Sequence, residues 1–246
     1  MKALAPVRRN RVKDAIRQGS KARGIHMTFA SPSVIELLGM LDFDFVYLDA
    51  EHGRFDLSEI EEACRAAEIS DLTVIARVPP GMLALIGTYL DRGVQGIIVP
   101  HVSSAEEAAA AVEATFFRPR GFRSNGGARA DRYWLGGGDF QEYFAEVNEN
   151  TTLSIQIEDR KAVENLDEIL QVPGIDYYTI GKNDLSASYD QPRLVKGFSA
   201  PMGELVASLE QRIRAAGFPM KDDVMTLGRV KDFIVEGGHR FLNTAA

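Results

Sequence analysis

The sequence predicts an α/β fold, a (β/α)₈ TIM barrel folded as a single domain. Short apolar runs alternate along the chain with segments of helical periodicity, as expected when consecutive parallel strands are joined by crossover helices. Polar residues follow several of these runs at the C-terminal end, where such barrels carry their active sites. The length of 246 residues also fits one such barrel, so 1–246 is predicted to form one domain.

The first half of the chain is predicted to contain four strand–helix units after a short N-terminal helix. Apolar runs mark the strands, and apolar residues at helical spacing mark the helices. Two helices are predicted to begin at capping boxes, Ser58–Glu61 and Ser104–Glu107. The predicted strands are 24–28, 45–49, 73–77 and 96–100, and the predicted helices are 10–18, 33–40, 58–70, a segment after Gly81 that ends at 92, and 104–115.

A loop rich in glycine and arginine, 116–138, interrupts the alternation. Long loops inside a compact domain are usually functional, so it is predicted to be a lid or binding loop, with Arg123 binding an anionic substrate. Four further strands are predicted at 152–158, 177–180, 218–220 and 240–244, with helices at 139–148, 161–170, 202–215 and 227–236. The chain ends at Ala246, so a final helix after the eighth strand is predicted to be missing.

Composition excludes several classes of protein. A net charge of −7 and a pI near 5.2 argue against nucleic acid as a partner, because phosphate binding requires a basic surface. No apolar run approaches the roughly 20 residues that span a bilayer, and the basic N-terminus lacks the apolar core of a secretory signal. A single cysteine, Cys64, forms no intrachain disulfide. A cytoplasmic protein is therefore predicted.

The segment FVYLDAEHG, 45–53, is the most informative part of the sequence. An apolar strand runs directly into Asp49, Glu51 and His52, and Gly53 lets the chain turn. A carboxylate beside an imidazole orients the ring and raises its basicity. Asp49 and His52 are therefore predicted to be an orienting acid and a general base. A helix N-cap and surface loop is the competing interpretation of this segment.

Further polar residues follow several of the remaining predicted strands. Arg77 ends the third strand, Gln156 and Glu158 alternate with apolar residues on the fifth, and Asp184 follows the sixth. Two carboxylates without cysteine or a zinc-type histidine motif favour a hard divalent cation, Mg²⁺ or Mn²⁺. Arg77 supplies a fixed positive charge for a carboxylate or an enolate oxygen. Together these groups suit chemistry that creates an enolate next to a carboxylate.

The motifs LDAEHG, ARVPP, GIIVPHV, SIQIED and GKNDLSAS occur in an order and spacing that resemble the HpcH/HpaI aldolase family of metal-dependent pyruvate aldolases. The resemblance extends over nearly the whole chain from about Gly24. It implies a barrel in which Glu158 and Asp184 bind the divalent metal, with Co²⁺ or Zn²⁺ as alternatives to Mg²⁺ or Mn²⁺, and in which pyruvate chelates that metal.

The same resemblance implies roles for further residues. Arg77 stabilises the enolate oxygen, and His52, held by Asp49, acts as acid and base. The substrate-binding residues it implies are Gln156, Gly181, Lys182 and Asn183, of which Gln156 lies beside the metal and the remaining three present main-chain groups to the pyruvate carboxylate. Lys182 stands where the family usually has proline. His26 and His101 are predicted to be pocket walls or structural histidines.

The reaction implied by the resemblance is reversible cleavage of a 4-hydroxy-2-oxo acid into pyruvate and an aldehyde by a homo-oligomer. Decarboxylation of oxaloacetate uses the same enolate. Two competing interpretations are a Schiff-base aldolase that uses Lys182 or Lys221, and a keto-acid-binding barrel without turnover.

Overall fold

The computed structural model describes residues 7–135, 139–191 and 197–244. Seven parallel strands form one curled sheet in the order β6-β5-β4-β3-β2-β1-β7. The strands are β1 Ala22–Met27, β2 Phe45–Asp49, β3 Thr73–Arg77, β4 Gly96–Val99, β5 Thr152–Ile157, β6 Tyr177–Ile180 and β7 Met225–Arg229.

Helices connect the strands throughout the described part of the chain. A short 3-10 turn, Arg132–Trp134, precedes the sixth α-helix. Those that belong to its first half are α1 Arg11–Gln18, α2 Pro32–Met40, α3 Leu57–Glu68, α4 Ala84–Arg92 and α5 Ala105–Thr115. Those of the second half are α6 Phe140–Asn150, α7 Arg160–Glu164, α8 Leu166–Ile169, α9 Lys182–Ser188, α10 Ala200–Ala215, α11 Lys221–Val224 and α12 Val230–Thr244. None of the helices in these described ranges is long and apolar enough to cross a bilayer.

The two faces of the sheet pack into different cores. On β5, Leu153, Ile155 and Ile157 join the large cluster formed with the surrounding helices. A smaller cluster, which includes Phe45 and Tyr177, fills the inside of the curled sheet. The period-two alternation of β5 predicts this arrangement, because successive side chains of a strand point to opposite faces. All six residues of β5 are buried.

The two outer strands of the sheet approach each other through a short connection. Met220 forms an isolated parallel bridge with Tyr178 of β6, and helix α11 then leads to β7, which pairs with β1. The predicted strand 218–220 is therefore reduced to one bridge beside β6. The architecture is an α/β fold with a curled, parallel, seven-stranded sheet.

Three predictions about secondary structure are wrong. Residues 240–244, predicted as the last strand, belong to helix α12, whose Phe241 and Leu242 are 71% and 67% exposed. Apolar side chains on an exposed helix face resemble those of a buried strand in sequence. Residues 227–229, predicted as the start of a helix, belong instead to β7, the last strand of the sheet, and α12 follows it. The capping box of α3 is formed by Asp56 and Glu59 rather than by Ser58 and Glu61.

Helix α1 closes the N-terminal end of the sheet. Asn10 caps this helix by accepting hydrogen bonds from two of its N–H groups, and its amide nitrogen donates to the carbonyl oxygens of Gln95 and Asn150 at 2.9 and 2.8 Å. Lys13 Nζ lies 2.6 Å from Asp176 Oδ1. These contacts leave the opposite, C-terminal end of the sheet open.

Candidate functional site

A cavity of about 730 Å³ opens at the C-terminal end of the sheet. Parallel strands deliver the residues that follow them to a common edge, so residues distant in sequence meet there. The lining includes His26 from β1, Arg77 from β3, Gln156 from β5 and the start of α9 directly after β6. Four of the polar residues predicted from strand ends, His52, Arg77, Gln156 and Asp184, thus line one cavity.

The Arg77 guanidinium is anchored by two carboxylates. Nε and Nη2 donate to Oδ1 and Oδ2 of Asp49 at 3.0 and 2.7 Å, in the bidentate geometry that holds a guanidinium plane fixed. Nη1 lies 2.7 Å from Glu51 Oε2, an ion pair without hydrogen-bond geometry. Because a guanidinium has five N–H donors, some remain free to meet a substrate oxygen.

Each of these two carboxylates also holds an imidazole. His26 Nε2 lies 3.0 Å from Asp49 Oδ2, and His101 Nε2 lies 3.1 Å from Glu51 Oε1. Burial opposes ionisation of Asp49, but hydrogen bonds from His26 and Arg77 outweigh it and hold the pKa of Asp49 well below its usual range. Asp49 is therefore a charged acceptor between a guanidinium and an imidazole.

His52 does not have the predicted contact with Asp49. Its backbone N–H donates to Asp49 Oδ1 at 3.2 Å, but the imidazole of His52 forms no recorded hydrogen bond within the described ranges. The side chain is exposed at the cavity. The strand delivers Asp49 into the sheet interior while the following turn carries His52 outward, so the prediction that Asp49 orients His52 is wrong.

Glu158 is a buried carboxylate, 1% exposed, and it lies next to Gln156 and Gly181, which line the cavity. It accepts hydrogen bonds from the Gln156 amide and from the backbone N–H of His101, the latter at 2.7 Å. Burial raises the pKa of Glu158 because it removes water from the ionised carboxylate, and no Lys or Arg of the described chain lies within ion-pair distance to offset this. A cation bound beside such a carboxylate would stabilise its ionised form.

Gly181 provides the space in which Glu158 sits. A Cβ at position 181 would lie 2.0 Å from Glu158 Oε2 and 2.9 Å from the Gln156 amide nitrogen. Any larger residue would displace the carboxylate, so the sequence of the loop after β6 determines the position of a side chain that follows β5.

The residues of this region fit a divalent metal. Ligand atoms of His101, Glu158 and Asp184 lie within 4.8 Å of one another. Two carboxylate oxygens and one imidazole nitrogen suit Mn²⁺, Co²⁺ or Zn²⁺, and the carboxylates alone also suit Mg²⁺. The Nε2 contact of His101 with Glu51 leaves Nδ1, which lies 3.6 Å from Glu158, as the free nitrogen.

Arg123 is the predicted site residue that the structure places elsewhere. It donates to Asp91 at 2.8 Å, stacks on Phe117 and lines a separate cavity together with Gln95 and Thr151. The last two precede β4 and β5, so this cavity lies at the N-terminal end of the sheet. The prediction that Arg123 binds substrate in the same cavity as Arg77 is therefore corrected. Residues 136–138 of the predicted lid lie outside the described residues.

The remaining predicted residues lie at the C-terminal cavity. Gln156, Gly181, Lys182, Asn183 and Asp184 all line it, and so does Lys221. Sequence reasoning missed the contacts of His26 and His101, which it assigned to pocket walls or structure. The sequence does place both histidines at the C-terminal end of an apolar strand, His26 within β1 and His101 after β4. It does not show which carboxylate each imidazole will face.

Comparison with known proteins agrees with this architecture. The family model of HpcH/HpaI aldolase/citrate lyase matches residues 23–243. The chain is 33% identical to a hydroxypyruvate/pyruvate aldolase of Roseovarius nubinhibens, with 93% of this chain and 88% of the relative covered. It is also 33% identical to a 4-hydroxy-2-oxovalerate aldolase of Novosphingobium aromaticivorans, over 95% and 87% of the two chains.

The fold is also similar to that of a solved structure, the HpcH/HpaI aldolase from Desulfitobacterium hafniense, with a TM-score of 0.83, 21% identity and 95% of each chain covered. The family match extends over most of the described chain and includes Asp49, Arg77 and Glu158. The chain therefore belongs to the HpcH/HpaI aldolase/citrate lyase family.

Proposed function

We propose that this chain is a divalent-metal-dependent aldolase that reversibly cleaves 4-hydroxy-2-oxo acids into pyruvate, or a related 2-oxo acid, and an aldehyde. The observation that carries the proposal is the buried Glu158 carboxylate, which has no Lys or Arg within ion-pair distance in the described chain. Its ligand atom lies within 4.8 Å of those of His101 and Asp184, and Asp184 lines the same cavity as Arg77. The relatives named as aldolases at 33% identity support the same reaction class. The fold proposed with it is the (β/α)₈ barrel, in which the Met220 bridge occupies one strand position.

Glu158 and Asp184 would hold the metal in this proposal, and His101 would add a nitrogen ligand. Bound there, the cation would supply Lewis-acid stabilisation of the negative charge that develops on the keto oxygen. Mg²⁺ and Mn²⁺ are the favoured ions. Glu51 keeps His101 oriented through the 3.1 Å contact, as carboxylates commonly do for metal-binding imidazoles.

The chain's own residues would bind and polarise the 2-oxo acid. Arg77, held flat by Asp49, would direct its free N–H groups at the enolate oxygen and place a fixed positive charge beside it. Gln156 would keep Glu158 in position by donating to it. The substrate carboxylate would meet the N–H groups of Lys182 and Asn183, in the first turn of α9, where N–H groups have no partner inside the helix.

The test is NMR of pyruvate in D₂O with the purified protein, with Mg²⁺ or Mn²⁺ and again after EDTA. Methyl-proton exchange that requires the metal is expected, because enolate formation needs the charge stabilisation described above. Exchange that survives EDTA would contradict the proposal and favour a Schiff base on Lys182 or Lys221, both of which line the cavity. Absence of exchange in both conditions would favour a keto-acid-binding protein.

Oxaloacetate is a second substrate for the same assay, because its decarboxylation passes through the same enolate. A parallel measurement of CO₂ release and of aldehyde-dependent condensation ranks the two activities. Condensation is expected to dominate, in keeping with the aldolase relatives.

A homo-oligomer is also part of the proposal. Helix α12 exposes Phe233, Ile234, Val235, Phe241 and Leu242, each at least 55% accessible, and apolar patches of this kind mark protein–protein contacts. Sedimentation equilibrium of the protein with and without the Phe241→Ser substitution tests this, and a monomeric native protein would contradict it.

A further inference from the structure

His26 is the imidazole in closest contact with Asp49. It lies on β1, in register with Tyr47 on one side and Arg229 on the other. Its ring packs against Tyr47 at a centroid distance of 4.9 Å, and its Nε2 lies 3.0 Å from Asp49 Oδ2. The side chain is 19% exposed and lines the cavity that Arg77 and Gln156 also line. The Tyr47 ring and the Asp49 carboxylate therefore hold the imidazole, and part of the side chain is left open to the cavity.

The contact with Asp49 determines the tautomer of His26. Asp49 is ionised, because Arg77 holds it in a bidentate pair, so it can only accept a hydrogen bond. Nε2 of His26 must then carry the proton, and Nδ1 of the neutral ring is left as an acceptor. No partner of Nδ1 is recorded in the part of the chain that the structure describes. Asp49 would also stabilise the imidazolium that forms when Nδ1 takes up a proton.

His52 is the less suitable imidazole for this task. It is exposed, and its ring lacks the carboxylate contact that His26 has. Its position at the cavity suits exchange of protons with water. The two histidines therefore differ in the property that a general base requires, a fixed orientation with a charged partner behind it.

We propose that His26, positioned by Asp49, is the catalytic base that accepts the proton of the substrate's C4 hydroxyl group during cleavage and returns it to the aldehyde oxygen during condensation. This inference rests on the proposed aldolase function. The residue it identifies is a catalytic one, and Asp49 acts through it as a positioning residue.

Cleavage moves one proton and three electron pairs. The hydroxyl proton moves to His26 Nδ1, and the O–H electron pair becomes the second bond of the aldehyde carbonyl. The C3–C4 bond breaks and its electron pair forms the C2–C3 double bond, while the π pair of the C2 carbonyl moves onto the keto oxygen. Arg77 opposes the negative charge of the enolate oxygen that results. The imidazolium then releases its proton to water, C3 of the enolate takes a proton from water, and no net proton is consumed.

The first variant is His26→Gln, because a Gln amide can place a nitrogen donor near the position of Nε2 while offering no atom that takes up a proton. Two reactions are measured on the metal-loaded protein, namely methyl-proton exchange of pyruvate and cleavage of a 4-hydroxy-2-oxo acid such as 4-hydroxy-2-oxopentanoate. Cleavage is expected to fall by about 100-fold or more, because general-base catalysis contributes roughly that much. Exchange, which involves no hydroxyl proton, should fall far less.

The matched control is His52→Gln, which removes the exposed imidazole from the same cavity. The cleavage rate of this variant should exceed that of His26→Gln by at least about tenfold if the assignment is right. A second variant, His26→Phe, keeps the ring packing against Tyr47 and should show the same selective loss of cleavage. Thermal melts confirm that the variants compared are folded.

The outcomes separate this inference from the proposed function. A native protein that neither exchanges methyl protons nor cleaves the substrate would contradict the aldolase proposal itself. Native activity together with full cleavage by His26→Gln and His26→Phe would overturn the role of His26 alone. Equal losses of exchange and cleavage in both variants would also overturn it, because they would assign His26 to enolate formation or to structure.

Discussion

The two ends of the sheet are both rich in charged residues, but they differ in how those charges are paired. At the N-terminal end, Lys13 pairs with Asp176 at 2.6 Å and Arg123 with Asp91 at 2.8 Å. At the C-terminal end, Glu158 and Asp184 lack a Lys or Arg partner among the described residues. Buried charge is costly unless it is paired, so we propose that an external cation binds at these carboxylates.

This difference in charge pairing predicts that the N-terminal end of the sheet stabilises the fold and that the C-terminal end carries the activity. Contacts at the N-terminal end satisfy one another, and their loss should lower the free energy of unfolding without altering chemistry. At the C-terminal end, the buried Glu158 carboxylate is held in a position that costs stability, and its loss should remove activity without unfolding the protein. Substitutions at the two ends therefore test the comparison directly.

The largest effect is expected for Glu158→Gln. Exchange and cleavage should fall by about 1000-fold or more, because the variant loses a metal ligand and with it the charge stabilisation of the enolate. The metal-free variant should be at least as stable as the native protein, since burial raises the pKa of Glu158 and makes its ionised form costly. Calorimetry of the metal-free proteins at pH 7 measures this, and a large loss of stability would place Glu158 with the structural residues.

Gly181→Ala should have the next largest effect on activity. The added Cβ would lie 2.0 Å from Glu158 Oε2, so the carboxylate must move and the affinity for Mn²⁺ should fall by about 10- to 100-fold. Gly87→Ala is the matched control, because a Cβ at Gly87 meets no atom within 4 Å. Isothermal titration with Mn²⁺ compares the two, and equal affinities would show that Gly181 does not position Glu158.

Asn10→Ala should show the opposite behaviour. It removes the cap of α1 and the Asn10 donor to the carbonyl oxygens of Asn150 and Gln95, of which Gln95 keeps the backbone N–H of Thr152 at 3.1 Å. The free energy of unfolding should fall by about 3 kcal/mol, with cleavage per folded molecule unchanged. Urea denaturation gives the first quantity and initial rates at constant temperature the second. A lower cleavage rate of fully folded Asn10→Ala would contradict the proposal that the N-terminal end of the sheet serves stability and not activity.

The smallest effect is expected in the pH dependence of stability. Burial opposes ionisation of Asp49, but His26 and Arg77 hold its pKa below the usual value of about 4, so the folded state releases this proton more readily than the unfolded state. The resulting stabilisation is complete above about pH 4 and is lost as the pH falls towards the folded-state pKa. Asp49→Asn should therefore flatten the acid side of the stability curve.

Asp190→Asn is the control for that measurement, because the Asp190 side chain is 97% exposed. Urea unfolding between pH 7 and pH 3 measures both variants beside the native protein. Identical slopes for Asp49→Asn and the native protein would contradict the low pKa of Asp49.

Sequence patterns predict the regular part of the fold well. The alternation of apolar runs with helical segments locates six strands, and the period of two on β5 correctly places Gln156 away from the helices. The pattern fails at 225–244, where β7 is short, half-buried and followed by a helix with exposed apolar residues. Phe241 and Leu242 are exposed, but Phe and Leu are also typical of buried strands. Residue type alone therefore does not distinguish a strand from this helix.

The candidate site is predictable in outline but not in its contacts. Strand ends correctly bring Arg77, Gln156 and Asp184 to one cavity, because all parallel strands end on the same side. The predicted partner of Asp49 is wrong, because proximity in sequence favours His52 while the neighbouring strand β1 supplies His26. The prediction for Arg123 is wrong for a related reason: a loop rich in glycine can fold back to either end of a sheet, and its sequence does not say which.

Anomalous diffraction of Mn²⁺ in crystals grown with pyruvate would show whether the unpaired carboxylates hold the catalytic cation. We expect one strong peak between the carboxylates of Glu158 and Asp184, with His101 beside it and pyruvate between the ion and Arg77. Absence of a peak there, with pyruvate joined covalently to Lys182 or Lys221, would contradict the proposed metal site and the reaction assigned to it.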